Sequence, residues 1–177
     1  MMVFAFSALL MVEPDLAQER GNSEATINSQ TLKISYGIAT LQDRSLQGYL
    51  EADLVLVHFA TFPVEMTWAL GVGSATELQS TGTLIVAGKE IPPGTYSLWV
   101  RKKADHDGWF LAFHPKIGIS ADSPPTNGYT AELPLKIERA APARDQLRIS
   151  LRNLYGNFAG VAIDWLTTRL SGRFSVK

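Results

Sequence analysis

Histidines are the side chains of this sequence best suited to acid–base or metal chemistry near neutral pH. The chain has three, His58, His106 and His114. Their positions match no spacing with known metal-ligand geometry. His106 lies in the stretch 104–108, which is typical of a turn tip. His114 ends an alternating strand pattern, which favours a hydrogen-bonded core or rim histidine over a catalytic base.

Nucleophilic and two-carboxylate chemistry have little support in the sequence. There is no Gly-x-Ser-x-Gly motif and no glycine-rich strand-to-helix turn, and the absence of cysteine removes disulfides, thiolate catalysis and cysteine-bound metals. Asp164 stands in an apolar strand pattern, Val161 to Leu166, whose alternation predicts that it faces solvent. Glu65, Glu77 and Asp164 would have to converge through folding to cleave a glycosidic bond. We therefore predict no catalytic residue, metal or cofactor.

The aromatic side chains are the remaining candidates for ligand binding, and the sequence has four tryptophans and five tyrosines. Strand alternation places Trp99 on one face with Ser97 and Arg101, and Tyr96 on the other. An exposed ring on a polar face suits a sugar or peptide, since it offers a large contact area at low entropy cost. The alternative is that a second sheet or a loop covers Trp99. The predicted ligand contacts are Trp68, Tyr96, Trp99 and His114.

The elements that must position these residues are short strands. Period-two alternation covers Leu32 to Tyr36, Leu133 to Ile137 and Leu147 to Leu151. The turn signals predict three hairpins: 95–103 with 109–114, 82–87 with 91–98, and 160–166 with 169–176. We also expect Pro93-Gly94 to form a tight turn with a positive φ at Gly94. The pattern predicts an all-β fold, a single antiparallel β-sandwich domain with short hairpins.

Several segments fit this pattern less well. The apolar run 53–62 suits a strand or a short helix equally. Residues 42–51 have no clear period. The segment 118–130 contains Pro124-Pro125 and Asn127-Gly128, which indicate a long connection. No linker divides the chain, so we expect one domain over residues 26–177.

The first twelve residues are apolar or small and carry no charge. That length is too short to span a bilayer, which takes about 20 helical residues. It suits the hydrophobic part of a secretory signal, so we predict that residues 1–18 are a truncated signal peptide. A buried first element of the fold is the alternative. The expected location is periplasmic or secreted, without a transmembrane segment.

The charge balance bears on partners. Sixteen basic and seventeen acidic side chains give a net charge of −1. Binding to nucleic acid requires a surplus of Lys and Arg on one face. We therefore expect no nucleic-acid partner.

Most of the chain resembles a known family. The residues that carry the resemblance are Tyr36-Gly37, Arg44, Trp68, Gly71, Ala75-Thr76, Gly88-Lys89, the block 91–99 (IPPGTYSLW), and Trp165, Thr168, Arg169 and Ser171. They resemble the bacterial DUF2911 family, a domain of unknown function usually found behind a signal peptide. The resemblance implies a secreted or periplasmic β-sandwich and no particular reaction.

The chain departs from the family pattern in its central segment. Where relatives resemble Trp-Arg-x-Gly-Ala-Asn-Glu-Ala-Thr, this sequence has Ala69, Gly73 and Ser74 in place of Arg, Asn and Glu. Ile38-Ala39 likewise replace an expected Arg-Pro. If those polar groups form the family's site, the resemblance implies that the site is degenerate or retuned here.

Three hypotheses for function follow. The first is an exported domain that binds a small molecule, glycan or peptide without chemistry of its own. The second is an envelope structural or self-association protein that acts through strand edges. The third is a hydrolase with an unrecognised site. Neither the ligand nor the oligomeric state is predicted.

Overall fold

The computed structural model describes residues 19–40, 66–103 and 108–177. The predictions made for segments 1–18, 42–51 and 53–62, for the turn tip at 104–107, and for His58, His106 and Glu65 lie outside the described residues. The described residues form ten strands: β1 (Arg20–Ile27), β2 (Gln30–Gly37), β3 (Met66–Ala69), β4 (Thr76–Ser80), β5 (Leu84–Val86), β6 (Lys89–Ile91), β7 (Gly94–Lys102), β8 (Trp109–His114), β9 (Ala131–Tyr155) and β10 (Phe158–Val176).

The strands form one antiparallel sheet in the order β1-β2-β4-β7-β8-β9-β10-β5-β6, and β3 pairs with the far end of β7. The described ranges contain no helix, and therefore none that could cross a membrane. The prediction of an all-β antiparallel fold is confirmed. The two-layer sandwich stays a prediction.

The main core follows the predicted alternation. Leu32 and Ile34 on β2 are fully buried, and the apolar residues at 147, 149 and 151 on β9 are buried as well. Ile137 departs from the prediction and is 39% exposed. The pairing of β8 with β9 ends at Trp109 and Leu135, so β8 does not flank Ile137.

The predicted hairpin of 82–87 with 91–98 is wrong in its second strand. The β5–β6 hairpin is shorter and turns at Ala87 and Gly88, which have φ of 48° and 83°. Pro92 and Pro93 follow and lack the N–H groups that would extend β6. The chain then begins β7, which pairs with β4 and not with β5. Gly94 has the predicted positive φ, at 155°.

The predicted terminal hairpin of 160–166 with 169–176 is also wrong, because both halves belong to the single strand β10. Between them lie Thr167 and Thr168, which are β-branched and favour a continued strand over a turn. The strand is irregular at Leu166, which has φ of 52° and a register shift on each side.

This irregularity bends the β9–β10 pair. Asp164 and Arg169 are five residues apart, which would separate their Cα atoms by about 17 Å on an extended strand. Their side chains nonetheless meet, with Arg169 Nε 2.6 Å from Asp164 Oδ1. Farther along, the N–H of Val176 donates to the carbonyl of Asn157 at 2.8 Å. The turn of the pair therefore returns to the end of β10, and we call this structure the curled β9–β10 ribbon.

Candidate functional site

Trp99 is fully buried and lies in a small cluster with Ala75 and Ala112. Its Nε1–H donates to Ser97 Oγ at 3.0 Å, and that hydroxyl donates to the carbonyl of Lys116 at 2.8 Å. Ile119 and Tyr129, from the connection between β8 and β9, pack against the cluster. Of the two alternatives for Trp99, the structure therefore shows the covered one, in which a loop lies over the polar face of β7.

The other two aromatic candidates lie elsewhere. Tyr96 points into the main core on the opposite face of β7 from Trp99. Its hydroxyl donates to the carbonyl of Pro92 at 2.8 Å, and burial raises its pKa. Trp68 is 41% exposed and stands opposite Val100 in the register of β3 and β7. Since Tyr96 and Trp99 face opposite ways, the three rings do not line a common pocket. A ligand-binding role for any one of them stays a prediction.

His114 is buried at the end of β8 and has defined partners. Its Nδ1 accepts a hydrogen bond from the N–H of Lys116 at 3.1 Å. Its ring meets Tyr129 edge-to-face, with centroids 5.4 Å apart. Gly128 passes so close that a Cβ there would lie 3.2 Å from Nε2. This is the hydrogen-bonded histidine that the strand pattern favours.

A cavity of about 580 Å³ opens beside His114, on the outer side of Tyr129. It lies between the start of β9 and the tip of the β5–β6 hairpin, and we call it the Tyr129 cavity. Its walls are Val86, Ala87, Lys89, Arg101, Thr126, Asn127, Gly128, Tyr129, Thr130, Ala131 and Glu132.

The charged groups of the Tyr129 cavity are held in fixed positions. Arg101 Nη1 lies 2.6 Å from Glu132 Oε1, and Lys103 Nζ bonds the other carboxylate oxygen. The guanidinium of Arg101 also lies 4.4 Å from the centroid of the Tyr129 ring, at cation–π distance. The side chains of Arg101 and Glu132 are 11% and 19% exposed. A ligand would therefore meet a preorganised ring, cation and carboxylate.

Asp164 corrects a prediction, because it is 3% exposed and does not face solvent. Its register with Arg148 on β9 is regular, and the bulge begins only after it. The side chain is buried because Arg169, from beyond the bulge, and Arg144, from β9, lie against its carboxylate. Arg169 donates two hydrogen bonds to the carboxylate, at 2.6 and 2.9 Å. These bonds lower the pKa of Asp164, against the opposing effect of burial, and nearby arginines lower it further.

A second concavity, of about 670 Å³, lies inside the curled β9–β10 ribbon, and we call it the ribbon groove. Both arms of the ribbon line it. Its residues are Ala87, Leu133, Pro134, Lys136, Glu138, Arg152, Leu154, Gly160, Val161, Ala162, Arg169, Ser171, Gly172 and Arg173. Four of these are cationic and one is acidic, so this surface differs from the near-neutral chain as a whole.

The positions where the resemblance implies lost polar groups are part of a backbone-paired segment. The carbonyl of Gly73, a residue with φ of 73°, accepts from the N–H of Ala121 at 2.7 Å. Ser74 forms an isolated bridge with Ser120, and Ala69 stands opposite Trp99. Here the segment anchors the connection that covers Trp99.

The two glycines of the resemblance have a packing role beside this segment. A Cβ on Gly37 would lie 1.9 Å from the carbonyl oxygen of Val72. A Cβ on Gly71 would lie 2.4 Å from the carbonyl oxygen of Gly37. The backbones of β2 and the segment after β3 touch, and only glycine permits that approach.

The groups that line the two concavities were not among the predicted site residues. Arg101 and Tyr129 are far apart in sequence, and Arg152 and Arg173 stand on different strands. Among residues 19–40, 66–103 and 108–177, no three His, Asp or Glu side chains converge as a metal site would require.

Comparison with known proteins places the chain in a family. A family model described as a protein of unknown function, DUF2911, matches residues 19–174. No curated protein and no solved structure shows significant similarity to the chain. The matched range contains nine strands in full, all of β10 but its last two residues, and both concavities, so the chain belongs to the DUF2911 family.

Proposed function

We propose that this protein is an exported binding domain without chemistry of its own, and that it holds a small hydroxyl-rich molecule, such as a sugar unit, in the Tyr129 cavity. The observation that carries the proposal is the fixed arrangement of Arg101 on β7, Glu132 on β9 and Tyr129 in the connection just before β9, at the wall of that cavity. Its volume of about 580 Å³ falls in the range of small-molecule sites.

The chemistry of the cavity wall suits hydroxyl groups. Each sugar hydroxyl donates one hydrogen bond and accepts others, so it needs donors and acceptors side by side. Arg101 and Lys89 supply donors, Glu132 supplies acceptors, and the amide of Asn127 supplies both. Tyr129 adds an aromatic surface for the apolar side of a ring.

The same wall favours binding over catalysis. Among the residues that line the cavity, Glu132 is the single carboxylate, whereas glycoside hydrolysis in most families needs two acids on opposite sides of the bond. Each oxygen of Glu132 is bonded to a cation, Oε1 to Arg101 and Oε2 to Lys103. Neither oxygen is therefore placed to transfer a proton to a ligand.

A thermal-shift screen of the chain from residue 19 against monosaccharides and short oligosaccharides tests the binding proposal. A ligand that binds only the folded state raises the melting temperature. The best sugar is then titrated by calorimetry into wild type, Asn127→Ala and Tyr129→Leu. We expect each variant to weaken binding about tenfold, roughly the effect of one hydrogen bond or ring contact.

Tyr155→Leu is the matched control, because Tyr155 is an exposed tyrosine at the turn of the ribbon and does not line the cavity. It should bind the sugar as wild type does. Equal weakening by Tyr155→Leu and Tyr129→Leu would remove the Tyr129 cavity as the site.

Export is supported by the apolar start of the sequence, which is typical of a secretory signal. Fractionation of the native host, with sequencing of the mature N-terminus, tests it. Intact Met1 in the cytoplasm would contradict export and leave the binding proposal to its own test.

A further inference from the structure

The ribbon groove collects positive charge in a chain whose net charge is −1. Lys136 and Arg169 contribute from the base of the ribbon, Arg173 from the end of β10, and Arg152 from β9 near its turn. Glu138 is the one acid among the groove residues. The curl of the ribbon brings these cations to one surface.

Two of the four cationic side chains already form ion pairs with carboxylates of the protein. Arg169 is bound to the buried carboxylate of Asp164 at 2.6 Å, and Lys136 pairs with Glu138 at 2.5 Å. The other two, Arg152 and Arg173, have no carboxylate partner among the described residues. The uncompensated charge of the groove therefore belongs to two guanidinium groups.

These two arginines are placed for recognition of an anion. Arg152 is exposed, and its side chain makes no hydrogen bond to another described residue. Arg173 uses Nη1 to donate to the Tyr155 hydroxyl at 3.2 Å, and its guanidinium lies 5.7 Å from the Phe158 ring. Those contacts hold Arg173 over the groove, and the N–H groups of its Nε and Nη2 atoms remain able to donate to a ligand. Arginine binds carboxylate and phosphate through paired N–H groups.

The groove also has an apolar side. Leu154 lies against Gly160, where a Cβ would be 3.1 Å from the leucine side chain, and it is 44% exposed. A ligand with an acidic group and an apolar body would place the first on the arginines and the second along Leu154.

We propose that the ribbon groove is a second binding site, distinct from the Tyr129 cavity, for a small organic anion that carries a carboxylate or phosphate group on an apolar body. Arg152 and Arg173 bind the acidic group. Arg169 is a positioning residue, because its ion pair with Asp164 maintains the bend that brings the two arms of the groove together.

Calorimetric titration with four probes tests this proposal: phenyl phosphate, benzoate, inorganic phosphate and benzyl alcohol. We expect phenyl phosphate or benzoate to bind, and the tighter of the two identifies the acidic group. Inorganic phosphate should bind more weakly, because it lacks the apolar body, and neutral benzyl alcohol should not bind measurably. Affinity should fall between 50 and 500 mM salt, because the recognition is electrostatic.

The variants distinguish binding in the groove from non-specific attraction of the anion to the charged protein surface. Arg152→Gln and Arg173→Gln should each weaken the best probe about tenfold or more, and the double variant about a hundredfold. Lys33→Gln is the control, since it removes one charge from an exposed residue of β2 that does not line the groove. Tyr155→Phe removes the hydroxyl contact of Arg173 but keeps the guanidinium, and it should retain binding within about threefold.

Two results would overturn the proposal. One is the absence of binding of both phenyl phosphate and benzoate at millimolar concentration to folded wild type. The other is binding that the Arg152→Gln, Arg173→Gln double variant retains within about threefold. Neither result depends on the sugar titrations, so this proposal and the proposed function can fail separately.

Discussion

The outer face of β7 and the ribbon groove both carry polar side chains on strands, yet the two regions use them differently. On β7, the connection between β8 and β9 closes over the face. Ser97, Trp99 and His114 then find their partners inside the protein, at 2.8 to 3.1 Å. In the groove, no described segment closes over Arg152 and Arg173. Apart from the bond of Arg173 Nη1 to the Tyr155 hydroxyl, their donors remain directed at solvent.

The difference shows that a polar residue on a strand does not by itself indicate an exposed site. Whether the residue is exposed depends on whether a later segment of the chain covers that face. A covered polar residue stabilises the fold through its hydrogen bonds, because an unpaired buried polar group is costly. An uncovered one is available to a ligand. Trp99, which strand alternation places on a polar face, is fully buried, whereas arginines that are not among the predicted site residues line a groove.

The comparison is tested most strongly by removing Trp99. We expect Trp99→Ala to lower the free energy of unfolding by about 3 to 5 kcal/mol, because it empties a fully buried site and leaves Ser97 without its donor. Trp68→Ala is the matched control and should cost less than about 1 kcal/mol, since Trp68 is 41% exposed. Urea denaturation measures both. Equal losses would show that Trp99 is not a covered, structural residue.

A smaller effect is expected at the bend of the ribbon. Asp164→Asn removes the charge that Arg169 and Arg144 contact, and breaking a buried pair costs about 3 to 5 kcal/mol. Both arginine side chains are about one-third exposed, at 36% and 34%, so water offsets part of that loss. We therefore expect about 1 to 3 kcal/mol by urea denaturation. Asp145→Asn, at an exposed aspartate of the same ribbon, should change stability by less than about 0.5 kcal/mol.

The ion pair at the bend also predicts a pH dependence. The pKa of Asp164 is lower in the folded protein than its usual value of about 4, so the unfolded chain takes up the proton first as pH falls. The stabilisation is complete above about pH 5 and is lost as pH falls through the folded pKa. The difference in unfolding free energy between wild type and Asp164→Asn should therefore shrink between pH 5 and pH 2. A constant difference across that range would contradict a charged role for Asp164.

Local alternation is enough to predict much of the fold. Leu32 and Ile34 on β2, and the β7–β8 hairpin, follow directly from period-two patterning. The same rule fails where a bulge changes the phase of the strand. It predicts that β10 is a hairpin, because a left-handed Leu166 has no signature in sequence. It also predicts that Asp164 faces solvent, because the arginines that cover its carboxylate come from beyond the bulge and from β9.

The candidate sites were harder to predict than the strands. Arg101, Tyr129 and Glu132 come together through the pairing of β7, β8 and β9 and through the connection that precedes β9. Arg152 and Arg173 share a groove only because the ribbon curls back on itself. Such long-range placement depends on tertiary structure, and residue spacing carries no signal of it. The hydrogen bond that the strand pattern favours for His114 is present, because its partner Lys116 lies two residues away. The role of His114 as a ligand contact stays a prediction.

The smallest expected effect concerns Ala87, which lines both the Tyr129 cavity and the ribbon groove. It occupies the first position of the β5–β6 turn with φ of 48°, a left-handed conformation that costs an L-residue about 1 kcal/mol or more and glycine almost nothing. Ala87→Gly should therefore raise the free energy of unfolding by about 0.5 to 1 kcal/mol. Ala25→Gly, on regular strand β1, should lower it by a similar amount or more, because glycine adds entropy to the unfolded chain and removes a methyl group that packs against the core. Urea midpoints of the two variants give the test. Equal loss of stability in both variants would show that the backbone at Ala87 is not strained in the turn between the two sites.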